Sequence, residues 1–195
     1  MLVRHRMTLN PVIIGPQAML ATAQEYMSKG HFRRLPVMEE GTLIGILTDR
    51  DVRRYVGAEE RTKVRAAMTE NPLTISPDMT VEEATQLLLR DQISGLPVVE
   101  NGKLSGIITS IDILNAFLEM SGALTPDNIR INVLSKDGGS LADVAKLIEV
   151  NGGEVLGVGT HREPGQTRRA FFLRIRGVDA TIASTALRKQ GYRVL

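Results

Sequence analysis

A chain of 195 residues, 43% hydrophobic and 24% charged, has material for one large domain or two small ones and for a core in either case. A net charge of +2 is too small to mark a polyanion-binding protein, and no apolar run approaches the ~18 residues of a membrane span. The absence of cysteine excludes disulfides, thiolate metal sites and cysteine nucleophiles together.

The start, MLVRHRMTLNP, has no apolar core before a small-residue cleavage site, so no secretory signal is read and a cytoplasmic setting is expected. From there the chain repeats itself. Met7 to Val52 lies on Met68 to Ile113 without a gap, at an offset of 61 residues (68 − 7). Met7/Met68, Thr8/Thr69, Asn10/Asn71, Pro11/Pro72, Leu35/Leu96, Pro36/Pro97, Gly45/Gly106, Thr48/Thr109 and Asp51/Asp112 are among the matching pairs. A duplicated unit buries a face against its copy, and any groove between copies is made twice.

Each copy reads in the same order. An Asn-Pro segment carries β-branched residues (Val12-Ile13-Ile14; Thr74-Ile75) and is followed by a helix. Leu20, Ala23 and Met27, then Val81, Ala84 and Leu88, mark one face of that helix at spacings of three and four. Two short strands follow, Leu35 to Met38 and Leu43 to Leu47, turning at Glu40-Gly41. Their counterparts, Leu96 to Val99 and Leu104 to Ile108, turn at Asn101-Gly102, the strongest short hairpin signal. A closing helix is expected over Asp49 to Val56 and over Ser110 to Met120. Polar GAEERTK (57–63) joins the copies, and SGALTP (121–126) breaks the pattern.

Beyond that break the repeat stops. Strand (Ile129 to Leu134), helix (Ser140 to Asn151), strand (Glu154 to Thr160), strand (Arg169 to Arg176), helix (Asp179 to Gln190) and strand (Tyr192 to Leu195) give βαββαβ, the ferredoxin-like order. The chain closes inside this last strand, so no further domain is expected. The fold class is α+β: residues 1–60 and 61–121 as two β-α-β-β-α copies, 122–127 as linker and 128–195 as a separate domain.

The sharpest local pattern is Gly-x-x-Thr-x-x-Asp at a strand-to-helix junction, as Gly45 to Asp51 and as Gly106 to Asp112. It reads equally as a capping box, in which Thr takes an amide and the acid reaches back. It also reads as a ribose-binding pair, with charge-assisted bonds of roughly 1.5–3 kcal/mol each. The helix start beside it offers amides and a positive dipole end to a phosphate. Charge separates the copies: Arg33, Arg34, Arg50, Arg53 and Arg54 correspond to Ser94, Gly95, Ile111, Leu114 and Asn115.

The duplicated Leu-Pro-Val and Gly-x-x-Thr-x-x-Asp elements over residues 1 to 120 resemble a tandem pair of CBS domains, the Bateman module. In that family a pseudo-two-fold pair forms two clefts that commonly bind adenosine compounds such as AMP, ADP, ATP or S-adenosylmethionine. The resemblance implies that Asp51 and Asp112 hold ribose hydroxyls, with Thr48 and Thr109 beside the sugar or phosphate. It implies that Ile13-Ile14 and Thr74-Ile75, with Leu35-Pro36 and Leu96-Pro97, wall the adenine. Arg33 and Arg34 would face phosphates in the first cleft, and Ser94 and Gly95 cannot supply that charge in the second. Unequal clefts are expected, the arginine-bearing one preferring the more phosphorylated ligand; a solvated charged face is the plainer account of the arginines.

Residues 128 to 195 resemble an ACT domain, a small regulatory module of amino-acid metabolism. A family loop of Asp-x-Pro-Gly-x-Leu type approaches an amino-acid ligand there. On that spacing this chain matches at Gly139 and Leu141 and has Gly138 where proline is usual, with Asp137 one place after the motif's Asp position. The plainer account is glycines turning the chain into a helix capped by Ser140. A CBS pair followed by an ACT domain resembles the acetoin-utilisation regulatory protein family.

Gly157-Val158-Gly159 lacks the third glycine of a dinucleotide loop, and no GxxxxGK[ST] occurs. His5, His31 and His161 have no metal-ligand spacing, although His31 sits beside the proposed cleft. No nucleophile is coupled to a base, so no catalysis is expected. CBS pairs also occur inside inosine-monophosphate dehydrogenases, whose barrel needs over ~200 further residues. The leading reading is therefore a non-catalytic adenosyl-ligand sensor, a homodimer acting on a metabolic enzyme or other protein partner. A ligand-free interaction scaffold is the alternative. Nucleic-acid binding is disfavoured by the near-neutral charge and by only four Phe and three Tyr.

Overall fold

The computed structural model describes residues 1–134, 139–162 and 170–195. These fall into two compact units, Met1–Leu114 and Asn115–Leu195.

In the first unit β1 (Thr8–Leu9) precedes α1 (Leu20–Gly30), the hairpin β2 (Arg34–Glu39) and β3 (Thr42–Thr48), and α2 (Asp49–Val52). The second copy follows as β4 (Thr69–Glu70), α3 (Val81–Arg90), β5 (Gly95–Glu100) and β6 (Lys103–Thr109), leading into α4 (Ser110–Met120), whose last residues belong to the second unit. Both hairpins turn through two residues of positive φ, Glu40 (49°) with Gly41 (81°) and Asn101 (51°) with Gly102 (76°). That is the twist a two-residue hairpin demands. The closing helix expected over Asp49 to Val56 is a single α turn continued by a 3-10 turn, Arg53–Tyr55. It ends because Val56 leaves helical geometry (φ −51°, ψ 125°) and Gly57 takes a φ of 82°.

The copies exchange their leading segments. β1 pairs antiparallel with β6 of the other copy (Thr8↔Ile107, Leu9↔Gly106), and β4 pairs with β3 in the same register (Thr69↔Ile46, Glu70↔Gly45). The sheets are accordingly β1-β6-β5 and β2-β3-β4. The exchange reaches the cores. Val3 is buried among Ile75, Ala84, Leu88, Leu96, Val98 and Ile108, while Val64 is buried among Leu20, Ala23, Met27, Leu35, Val37 and Leu47. The Asn-Pro segments run past the sheets rather than joining them as full strands: Ile14 and Ile75 each make one parallel bridge, to Val37 and Val98.

Glycine at 45 and 106 is what the exchange requires. A Cβ at Gly106 would lie 2.8 Å from the Thr8 carbonyl oxygen and 2.8 Å from Met7 Sδ. At Gly45 the same atoms of Thr69 and Met68 would lie at 3.1 and 2.6 Å. The glycine of Gly-x-x-Thr-x-x-Asp thus lets the partner copy's edge strand approach.

The second unit contains β7 (Ile129–Leu134), α5 (Leu141–Val150), β8 (Glu154–His161), β9 (Ala170–Arg176), α6 (Ala180–Lys189) and β10 (Arg193–Val194). Its antiparallel sheet has the order β10-β7-β9-β8. Ile131, Val133, Leu173 and Ile175 from the central strands pack with Val144 and Ile148 of α5 and Ala183 and Leu187 of α6. This is the βαββαβ arrangement read from the sequence; Arg169 lies outside the described residues.

Candidate ligand cleft between the two copies

Thr109 ends β6 as a strand residue and caps α4. Its hydroxyl and its backbone N–H both donate to Asp112 Oδ2, each at 2.7 Å, and Asp112 N–H lies 3.4 Å from the Thr109 hydroxyl. Thr48 and Asp51 form the same reciprocal box at the start of α2, with the Thr48 N–H to Asp51 Oδ2 distance at 3.0 Å. The capping account of the motif is therefore met in both copies. The copies part at the other carboxylate oxygen: Asp51 Oδ1 has Arg54 Nη1 at 3.7 Å, whereas Asp112 Oδ1 has no hydrogen-bond or ion-pair partner among the described residues.

Asp112 lines a cavity of about 680 Å³. One wall is the exchanged segment with Thr8, Asn10, Pro11 and Val12. A second is the exit from α1 with His31, Phe32, Arg33 and Arg34. The third comes from the other copy with Ser94, Ile107, Thr109, Ser110 and Ile111. Chain geometry presents these groups: His31 closes α1 in a left-handed conformation (φ 54°), which swings Phe32 and the two arginines away from the helix axis.

Arg34 is half-buried and donates from Nη2 to Ser94 Oγ. Burial first, and then the neighbouring Arg33 cation, pull its guanidinium below the ordinary arginine value, while Asp112 opposes them. The cleft thus carries two arginines and one carboxylate in its lining, a set suited to an anionic ligand that also carries hydroxyl donors.

The residues expected to form clefts are distributed otherwise than one set per copy. Arg33, Arg34 and Ser94 line the same cavity, and the acid with them is Asp112 of the second copy. The strand exchange is the reason, since it brings β6 of the second copy beside the leading segment of the first. Ile14, Ile75, Leu35 and Leu96 are core residues at 5%, 4%, 0% and 0% exposure, not adenine walls, and Pro36 and Pro97 are buried with them. Ile13 is exposed outside the cavity lining, where Pro11 and Val12 stand instead, and Thr74 is exposed on the leading segment of the other copy, away from this cavity. Gly95 lies beneath the Arg34 side chain. Thr8, Asn10, Val12, Phe32, Ile107, Ser110 and Ile111 were not singled out by the motif. The repeated Met-Thr-x-Asn-Pro at 7–11 and 68–72 was a signal for Thr8 and Asn10 alone; Ile107, Ser110 and Ile111 occupy the variable positions of Gly-x-x-Thr-x-x-Asp.

In the second unit Asp137 and Gly138 lie outside the described residues. Ser140 caps α5 in a box with Asp143, and Leu141 packs against the core, so these two positions have structural duties. Among the described residues no three metal-ligating side chains cluster, and no helix is long and apolar enough to cross a membrane.

The CBS domain pattern matches residues 3–58 and again residues 64–119. The chain belongs to the CBS-domain family. The CBS pair is 32% identical over 114 residues to the CBS domain-containing protein YhcV of Bacillus subtilis, covering 57% of this chain and 81% of that protein. It is also similar to inosine-5'-monophosphate dehydrogenase of Staphylococcus aureus, at 33% identity over 160 residues. That match covers 77% of this chain and only 32% of the enzyme. Among solved structures, the CBS pair of protein MJ0100 in complex with 5′-methylthioadenosine and S-adenosyl-L-methionine superposes with a TM-score of 0.56. Identity is 28%, over 60% of this chain and 95% of that one. CBSX2 in complex with AMP gives a TM-score of 0.55 at 29% identity, over 60% and 96% of the two chains.

Proposed function

We propose that this CBS pair is a non-catalytic regulatory sensor that binds an adenosine-containing ligand (AMP, ADP, ATP or S-adenosylmethionine) and signals to a protein partner. The supporting observation is one cavity that carries Arg33, Arg34 and Asp112 together, the last with an uncommitted carboxylate oxygen. Asp112 would take the ribose hydroxyls, Thr109 would sit beside the sugar, and the arginines would hold phosphate. The Thr48–Asp51 junction is the counterpart, poorer in free charge because Arg54 and Arg53 already face Asp51 and Asp49. Solved CBS pairs holding AMP, or 5′-methylthioadenosine with S-adenosyl-L-methionine, support the ligand class. The second unit is read as an ACT-type regulatory domain, supported by its βαββαβ order and β10-β7-β9-β8 sheet, and a homodimer is part of this reading.

The test is thermal unfolding with each adenosine compound, then with amino acids. A ligand at ~100 times its Kd adds about 2.7 kcal/mol. A shift that disappears in Asp112→Ala supports the sensor. The absence of any shift on nucleotide-free protein favours the interaction scaffold, in which both acids only cap their helices.

A further inference from the structure

Arg34 and Gly95 are equivalent positions of the two copies, separated by the repeat offset of 61 (95 − 34), and they touch. A Cβ on Gly95 would lie 2.7 Å from Arg34 Cδ and 2.8 Å from its Nε. Two equivalent residues meet only at the axis that relates their copies. At this axis Arg34 also bonds to Ser94, the equivalent of Arg33. The arginine pair of one copy therefore reaches into the space that the small pair of the other leaves open.

That space belongs to the second cleft. The matching registers of β1 with β6 and β4 with β3 put its walls at Thr69 to Leu73 and Ile46 to Asp51, and its inner corner at Ser94 and Gly95. Arg34 lines the first cleft and lies over the inner corner of the second.

We propose that Arg34 is a single cation shared by both clefts, so that an anionic ligand bound beside Asp112 weakens the binding of a second anionic ligand beside Asp51. The inference rests on the reading of the clefts as adenosine-ligand sites. Its physical basis is the present partner of Arg34, a neutral hydroxyl on a half-buried guanidinium. A phosphate in the Asp112 cleft is a stronger, charged acceptor and draws the planar fork to its own side. The second cleft then loses Arg34 from an inner corner of Ser94 and Gly95 and carries an additional acid, Asp49, where the first has Ser110; by the same offset it keeps Arg50, where the first has Ile111, and Arg33, where the first has Ser94. Arg53 is committed to Asp49 at 2.8 Å and cannot replace the lost cation. Desolvation of Arg34 adds to the pull, because a partly buried cation gains more from an anion than one in water. Coupling of this kind is reciprocal.

The experiment is calorimetric titration of the whole chain with AMP and, separately, with adenosine. Affinity at the Asp51 cleft is read with the Asp112 cleft filled (unaltered chain) and disabled (Asp112→Ala, with Asp112→Asn as the better-folded second variant). The expected result is AMP binding at the Asp51 cleft about fivefold or more tighter when the Asp112 cleft is disabled. The difference is absent with adenosine and absent for AMP in the Arg34→Met background. Equal AMP affinities in the two states, or a difference that survives Arg34→Met, overturn the shared cation while leaving the clefts as sites. No binding of any adenosine ligand to the unaltered chain overturns both readings.

Discussion

Asp112 accepts both the backbone N–H and the hydroxyl of Thr109 through the one oxygen Oδ2, at 2.7 Å each, and so caps α4 while its other oxygen stays available. A single carboxylate can then carry a structural duty and a binding duty at once. The two duties separate by substitution.

Asp112→Asn retains an acceptor for Thr109 and removes the charge. It is expected to unfold close to the unaltered protein and to bind phosphorylated nucleotide less well by about 1.5–3 kcal/mol, roughly ten- to a hundredfold in Kd. Asp112→Ala loses the same binding and also about 0.5–2 kcal/mol of stability. Paired titration calorimetry and denaturant unfolding of the two variants check this; equal stability of the two would show that the cap contributes nothing.

Gly106→Ala should cost about 1–3 kcal/mol, because the new methyl meets the backbone oxygen of Thr8, which moves only with β1. Gly45→Ala should cost less, since the atom nearest its methyl is the sulfur of the flexible Met68 side chain. Urea midpoints at unchanged slope measure the order, and a reversed order would refute the account of the exchanged strands.

Glu40 holds a left-handed conformation that Asn101 holds in the other copy. Asparagine visits that region readily and glutamate does not. Glu40→Asn should therefore stabilise by about 0.5–1 kcal/mol, and Asn101→Glu should destabilise by a similar amount. Thermal unfolding of both variants reads the two signs.

Asp179 accepts the Thr181 N–H at 2.7 Å, and this backbone hydrogen bond holds its carboxyl below the usual carboxylate value. Its folded pKa lies below the unfolded one. The contribution is complete above the unfolded value of about 4 and is lost as pH falls through the folded value. Asp179→Asn still caps α6 but does not titrate, so its stability should fall less steeply below about pH 4. A curve of stability against pH identical to that of the unaltered chain would contradict this.

Much of this protein follows from its sequence by local rules. Apolar spacing at Leu20, Ala23 and Met27 required a helix face, Asn101-Gly102 required a two-residue hairpin, and Thr-x-x-Asp required a helix start. Each of these depends on neighbours within a few residues, and each appears where the residues put it. The repeat also announced a two-fold relation between the copies, and the matching strand registers carry it out. Only tertiary structure decided which residues share a cleft. Periodicity carries no information on which copy supplies an edge strand, so β1 reads equally well beside either hairpin; the open faces of Gly45 and Gly106 and the burial of Val3 and Val64 in the opposite cores settle it. That exchange puts Asp112 with Arg33 and Arg34, turns Ile14 and Leu35 from wall into core, and brings Arg34 over Gly95. Contacts across an axis come from packing between distant segments, which no local pattern encodes.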